Sequence, residues 1–117
     1  MSPEIELLLT DVYKDASFIL DFTSTFSFGD YDADIAKQYA VERAFERIGE
    51  AVRQIAYRSP EFAERIPRFR KIISFRNIIA HGYSEISNEL VWETVTTVLP
   101  DFRVHISGLL GEDFAEN

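Results

Sequence analysis

Residues 67–81 read PRFRKIISFRNIIAH, and their spacing decides the fold. Phe69, Ile72, Ile73 and Arg76 fall three or four residues apart along one line, as on one face of an α-helix. Pro67 suits the first position of such a helix, where a missing N–H costs nothing. Gly82 supplies a C-terminal stop. The overlapping eight residues RNIIAHGY (76–83) place an arginine, an asparagine, a histidine and a tyrosine on an otherwise apolar segment.

The same period recurs on both sides. Ile5, Leu8, Leu9, Val12, Ala16, Ile19 and Leu20 mark a helix over most of residues 4–26, with Ser2 as cap, Pro3 at its first position and Glu4 and Glu6 in its first turn. Phe18, Phe22 and Phe26 add a second stripe. Either this helix sits centrally in a bundle, or the extra stripe meets a second subunit. Phe28-Gly29-Asp30 breaks the pattern, and Asp30, Asp32 and Asp34 place negative charge at the start of the next helix, where its dipole favours it. That helix runs to about residue 57, with Ile35, Tyr39, Val41, Ala44, Phe45, Ile48, Val52 and Ile55 as its apolar positions. Gly49 lies mid-helix at a cost of about 1 kcal/mol relative to alanine, which a close approach by another helix would explain.

Ser59-Pro60-Glu61 reads as a cap, a first-turn proline and an acid, opening at most two turns. Ser87 or Asn88 starts a last helix carrying Val91, Val95, Val98, Phe102 and Ile106, which Pro100 should kink or divide. Strand-type alternation is absent. The expected fold is all-α: an antiparallel four-to-five-helix bundle forming one domain over residues 1–117.

Composition narrows the function. The chain is long enough for one core, and with no cysteine it has no disulfide, thiolate metal site or cysteine nucleophile. The opening MSPEIELLLTDVYKD carries acids where a secretory signal carries bases, and no apolar run approaches the ~18 residues of a membrane span, so a soluble cytoplasmic protein is expected. A net charge of −8 argues against coating nucleic acid with the whole surface. Residues 42–76 are different, with nine basic residues against five glutamates. Before residue 60, helical spacing such as Glu42/Glu46 with Arg43/Arg47 accounts for them as solvated pairs. Arg65, Arg68, Arg70 and Lys71 have fewer acids nearby and are the candidates for contact with a polyanion such as RNA.

Arg76 falls on the apolar stripe of its own helix, and a desolvated guanidinium there needs an anion. A buried ion pair to Glu46 or Glu50 would supply one. His81, five residues on, stands about 140° round the helix from Arg76, so the two cannot share a face of one straight helix. Two arrangements would bring them together. The helix could end early at Gly82 and let His81 swing round, or a symmetric dimer could combine two copies of the motif. Asn77 shares the face of His81 and could hold an imidazole nitrogen. Tyr83 lies near the Arg76 line if helix persists.

A metal site lacks ligands, since His105 is the only other histidine and no carboxylate cluster has ligand spacing. There is neither a nucleophile elbow nor a glycine-rich phosphate loop. Imidazole moves protons at neutral pH, and guanidinium holds phosphate bidentately and stabilises a phosphorane. That pair suffices for RNA cleavage by the strand's own 2′-hydroxyl, which DNA lacks.

An arginine, a polar residue, three more positions and a histidine form the signature of HEPN ribonuclease domains, and RNIIAHGY resembles the HepT-like toxins among them. VERAFERIGEAV (41–52), IPRFRKIISFRN (66–77) and LVWETVTTVLPDF (90–102) resemble the same family in the same order, covering most of residues 4–110. The resemblance implies a homodimeric helical bundle whose Arg76 and His81 line one cleft between subunits. It implies a metal-independent endoribonuclease, with no cofactor, acting as the toxin of a toxin–antitoxin pair. The partner antitoxin would be a minimal nucleotidyltransferase (MNT type) that adenylylates Tyr83. On this likeness Arg76 binds phosphate, His81 is the acid/base and Asn77 orients. The alternative is a non-catalytic helical subunit that binds a nucleotidyltransferase and its nucleotide or substrate.

Overall fold

The computed structural model describes residues 1–81 and 87–115, with side chains as far as residue 111. It is an all-α bundle: α1 (Pro3–Thr23), α2 (Phe28–Asp32), α3 (Ile35–Arg58), α4 (Pro60–Ala63), α5 (Phe69–His81), α6 (Asn88–Glu93), a π-helical turn (Thr94–Val98) and α7 (Leu99–Ala115). Among the described residues there is no strand, and no helix is long and apolar enough to cross a membrane.

Local chemistry sets most boundaries. The Ser2 hydroxyl accepts from the Ile5 N–H and starts α1 ahead of Pro3. Phe28-Gly29-Asp30 proves to be a short helix of its own. Ser27 accepts from the Asp30 N–H while the Asp30 carboxylate accepts from the Ser27 N–H, a reciprocal cap that overrides the glycine. Asp34 then caps α3 through the N–H groups of Ala36 and Lys37. Ser59 caps α4 ahead of Pro60, as the sequence predicts.

Pro67 does not open α5. The helix begins two residues later, because Arg68 adopts a left-handed backbone with φ 60°. Pro100 does not divide the last helix either. The π-helical turn directly precedes it, so the chain stays helical from Asn88 to Ala115. Widening the turn before a proline accommodates its missing donor and its ring without a break.

The core is built by α1, α3 and α7. Leu9, Val12, Ala16 and Ile19 of α1 meet Val41, Val52 and Ile55 of α3, and Phe102 and Ile106 close the packing from α7. Each fully buried aliphatic side chain contributes roughly 1.5–3 kcal/mol relative to exposure. Ile35 and Tyr39, expected on the apolar face of α3, are instead 60% and 63% exposed. The second stripe of α1 continues inward as a ring ladder: Phe18 stacks on Phe22, Phe22 meets Phe26 edge-on, and Phe26 reaches Trp92.

The molecule measures 47 × 28 × 19 Å, and its shortest dimension is about two helix diameters. In so thin a bundle α5 packs chiefly on α3 and contains no fully buried residue. Phe75 still anchors it, meeting Phe45 edge-on with ring centroids 5.2 Å apart. The helix that carries the polar motif is thus the outermost of the long helices.

Candidate functional site

Arg76 sits where α5 comes closest to α3. A Cβ placed on Gly49 would lie 2.1 Å from the Arg76 Cβ and 3.2 Å from the Ile72 carbonyl oxygen. Only a residue without a side chain allows the arginine stem to cross α3 there, which accounts for a glycine in the middle of a 24-residue helix.

Past this crossing the guanidinium emerges half-buried, with 27% of its side chain exposed. Nη2 lies 3.2 Å from a Glu50 carboxylate oxygen, and Nη1 donates to Asn77 Oδ1 at 3.1 Å. Nε is enclosed with no hydrogen-bond partner among the described residues. Of the two acids foreseen for Arg76, Glu50 is the one that answers it. Glu46 turns to Arg43 instead.

Glu50 does not belong to Arg76 alone. It accepts from both Arg53 Nη2 (2.7 Å) and Arg53 Nε (3.1 Å), and from Gln54 Nε2. The Arg53 hydrogen bonds, aided by Gln54 and by the charges of Arg53 and Arg76, hold its carboxyl at about 2 against the opposing effect of burial. Arg76 therefore borrows one corner of a carboxylate, ionised at neutral pH, whose firmest partner is another arginine. A guanidinium has five N–H donors, so this arrangement positions Arg76 and leaves donor capacity toward solvent.

His81 is the last residue of α5 and is exposed. The helix stays intact through it, so it does not end early and swing His81 round. The separation of about 140° from Arg76 therefore stands within one chain, together with about 7.5 Å of rise. Asn77 is exposed and gives its Oδ1 to Arg76, so the orienting contact seen is with the guanidinium. Tyr83 and Gly82 lie outside the described residues.

The basic residues divide into groups. Before residue 60, Arg43, Arg47 and Arg53 pair with Glu46, Asp15 and Glu50, as solvated faces should. Arg70 pairs with Glu64 and lies over the Phe69 ring, and Arg65 lies over the Phe62 ring. Arg68 and Lys71 have no ion pair among the described residues and face a groove between α5 and α7 instead. Of the four foreseen cations, Arg68 and Lys71 share this groove. Sequence spacing missed the rest of that groove, including His105 and Thr97, because these residues come from a distant helix. Among the described residues no group of three or more His, Asp or Glu is placed to hold a metal ion.

Residues 13–109 match the family model described as Ribonuclease HepT-like. The "Putative RNase MJ1380" of Methanocaldococcus jannaschii is 29% identical over 105 residues, covering 88% of this chain and 94% of that protein. The "Probable ribonuclease HepT" of Thermococcus cleftensis is 30% identical over 95 residues, covering 81% of this chain and 86% of that protein. No solved structure gives a significant match. With the family model spanning the bundle core, α5 and the motif as far as His81 and beyond, the chain belongs to the Ribonuclease HepT-like family.

Proposed function

We propose that the chain is a metal-independent endoribonuclease in which Arg76 and His81 act on one phosphodiester within a homodimer. The observation that carries this is the placement of the two side chains on one unbroken helix. Arg76 is seated by Gly49 and steered by Glu50 and Asn77, while His81 is exposed at the helix end. One chain presents both groups but does not aim them at a single point, and a symmetric pair of outermost helices would.

The chemistry needs a proton acceptor, a proton donor and a cation at phosphorus. A base takes the proton of the 2′-hydroxyl, and the 2′-oxygen attacks the adjacent phosphorus. The P–O5′ bond then breaks, and an acid protonates the leaving 5′-oxygen. The products are a 2′,3′-cyclic phosphate and a 5′-hydroxyl. The His81 imidazole can serve as one of the two proton-transfer groups, with water as the other, and Arg76 stabilises the doubly charged equatorial oxygens of the phosphorane. The expected regulator is a minimal nucleotidyltransferase antitoxin that adenylylates Tyr83, adding bulk and negative charge beside the cleft.

Cleavage of single-stranded RNA by the purified chain in excess chelator, absent in His81→Ala and Arg76→Ala and absent on the same sequence as DNA, tests the reaction. Cleavage that persists in His81→Ala would overturn the assignment. Co-expression with a nucleotidyltransferase of the stated type, followed by intact mass, tests the regulation through an added AMP on Tyr83.

The grip of Glu50 on Arg76 favours a second account, in which the arginine is structural and the chain is a non-catalytic subunit that binds the nucleotidyltransferase. Induction in cells lacking that partner separates the two. Growth arrest that disappears with His81→Ala supports the ribonuclease, and harmless expression of the wild type supports the subunit.

A further inference from the structure

A groove of about 380 Å³ opens between α5 and the limb formed by the π-helical turn and α7. That volume is in the range of pockets that enclose a small organic group, roughly 300–1,000 Å³. Its walls are apolar and partly aromatic: Phe45 from α3, Ile72 and Phe75 from α5, and Val98, Leu99 and Phe102 from the opposite limb. The mouth is cationic and polar, formed by Arg68, Lys71, His105 and Thr97, with Asp101 as its acid.

Three features distinguish the groove from a packing gap. Arg68 and Lys71 take part in no ion pair among the described residues, as is also true of Lys14, Arg58 and Arg103, but of these five only Arg68 and Lys71 line an apolar groove. Arg68 holds a φ of 60°, a conformation costly for a residue with a Cβ and one that tends to be kept where it sets a functional geometry. The far wall is partly built by the π-helical turn, an element frequent at functional sites.

Accepting the ribonuclease reading above, on which this step rests, we propose that the groove takes one unstacked base of the RNA strand while Arg68 and Lys71 hold the adjoining phosphates. Flat apolar walls accept the face of any base, and cations at the mouth match the charged backbone rather than the base. An apolar peptide would leave both cations unanswered. Position agrees as well. Phe75, in the wall, directly precedes Arg76, and Lys71 stands about 80° round α5 from His81 and about 15 Å before it along the axis, nearer the His81 side of the helix than the Arg76 side. A strand drawn along α5 toward His81 passes this groove before it reaches the proposed scissile phosphate. The groove would then decide which base is tolerated at a fixed offset from the cut.

The test uses full-length His81→Ala protein, so that the probe survives, and four labelled single-stranded RNA homopolymers read by fluorescence anisotropy. Lys71→Glu reverses one cation, and Thr97→Trp fills the mouth from the other limb. Each should weaken binding about ten-fold or more, as expected for losing one stacked base and its phosphate contact, and should flatten any preference among the four homopolymers. Side-chain NMR signals of Val98 and Phe102 should shift when RNA is added. Unchanged affinity in both variants, with melting curves like the parent's, overturns the proposal. So do static Val98 and Phe102 signals at saturating RNA. Equal shifts from nucleoside monophosphates at the same concentrations overturn it in favour of a free nucleotide. Cleavage by the wild-type chain, assayed in parallel, separates the two failures. If cleavage persists while the variants bind normally, only the groove assignment falls. If the wild type neither cleaves nor binds RNA, the ribonuclease reading falls and takes the groove assignment with it.

Discussion

Gly49 and Arg76 occupy a single crossing point: a Cβ on the first would fall 2.1 Å from the Cβ of the second. The clash is with the root of the side chain and with the Ile72 carbonyl of α5, so rotating the guanidinium cannot relieve it. Gly49→Ala should therefore destabilise the bundle by about 1–3 kcal/mol through overpacking, against a helix-propensity gain of about 1 kcal/mol. Urea denaturation reads the net loss. Cleavage should fall further than stability does, because α5 must lift and carry Arg76 away from Glu50. A variant as stable and active as the parent would show that α5 is not seated this tightly. Removing the arginine beyond Cβ should not rescue it, since the Cβ itself collides.

Glu50 gives the acid limb of the stability curve a specific source. Its folded-state carboxyl is depressed from 4.5 to about 2, chiefly by the hydrogen bonds from Arg53. A depressed carboxyl binds fewer protons folded than unfolded, so its contribution is complete above the unfolded value and is lost as pH falls toward the folded one. The window is therefore from about 4.5 down to about 2. Glu50→Gln should lower stability at neutral pH and reduce the slope of urea midpoint against pH across that window. An identical slope in the variant would mean that the acid limb comes from other carboxylates.

How far the sequence could be read depended on how local each determinant is. Caps at Ser2, Asp34, Ser59 and Ser87 bond to N–H groups two or three residues away, so residue type and spacing reveal them. The apolar faces of α1 and α3 were legible for the same reason. The short α2 was missed because glycine there looks like a breaker until Ser27 and Asp30 are seen to cap each other. The π-helical turn was missed because its effect is to cancel the signal of Pro100. At the site, Gly49 and Glu50 were legible as an approach and an anion, but Arg53's prior hold on Glu50 follows from rotamers that spacing does not fix. His105, Thr97 and Lys71 meet only through the tertiary fold.

Asn77 should act through charge and orientation rather than by touching the reacting atoms. Its Oδ1 accepts from Arg76 Nη1 at 3.1 Å. Losing one hydrogen bond to a charged group costs roughly 1.5–3 kcal/mol where it is fully formed and less at an exposed site such as this. Asn77→Ala should reduce kcat/KM by about ten-fold or less. Asn77→Asp should be worse, because a second carboxylate beside Glu50 neutralises the guanidinium and repels the strand. Its penalty should appear mainly in KM and shrink with added salt. If the alanine and aspartate variants match at every salt concentration, Asn77 has no electrostatic part in substrate binding.

The angle between Arg76 and His81 leads to the sharpest prediction. A phosphodiester that meets both groups must draw them from different copies of α5 if each helix stays intact through His81. Purified Arg76→Ala and His81→Ala proteins should each be inactive. Mixed under conditions that exchange subunits, they should recover activity, because the heterodimer contains one site with an intact arginine from one chain and an intact histidine from the other. At equal mixing about half of the dimers are heterodimers with one of their two sites restored, so recovery should approach roughly a quarter of wild-type activity if each site works alone. Recovery should vanish when exchange is blocked. No recovery from freely exchanging subunits would mean that both groups act from the same chain, or that all four are needed at once. A double variant carrying Arg76→Ala and His81→Ala in one chain, mixed with wild type, separates these. It leaves one complete set in each heterodimer, active in the first case and silent in the second.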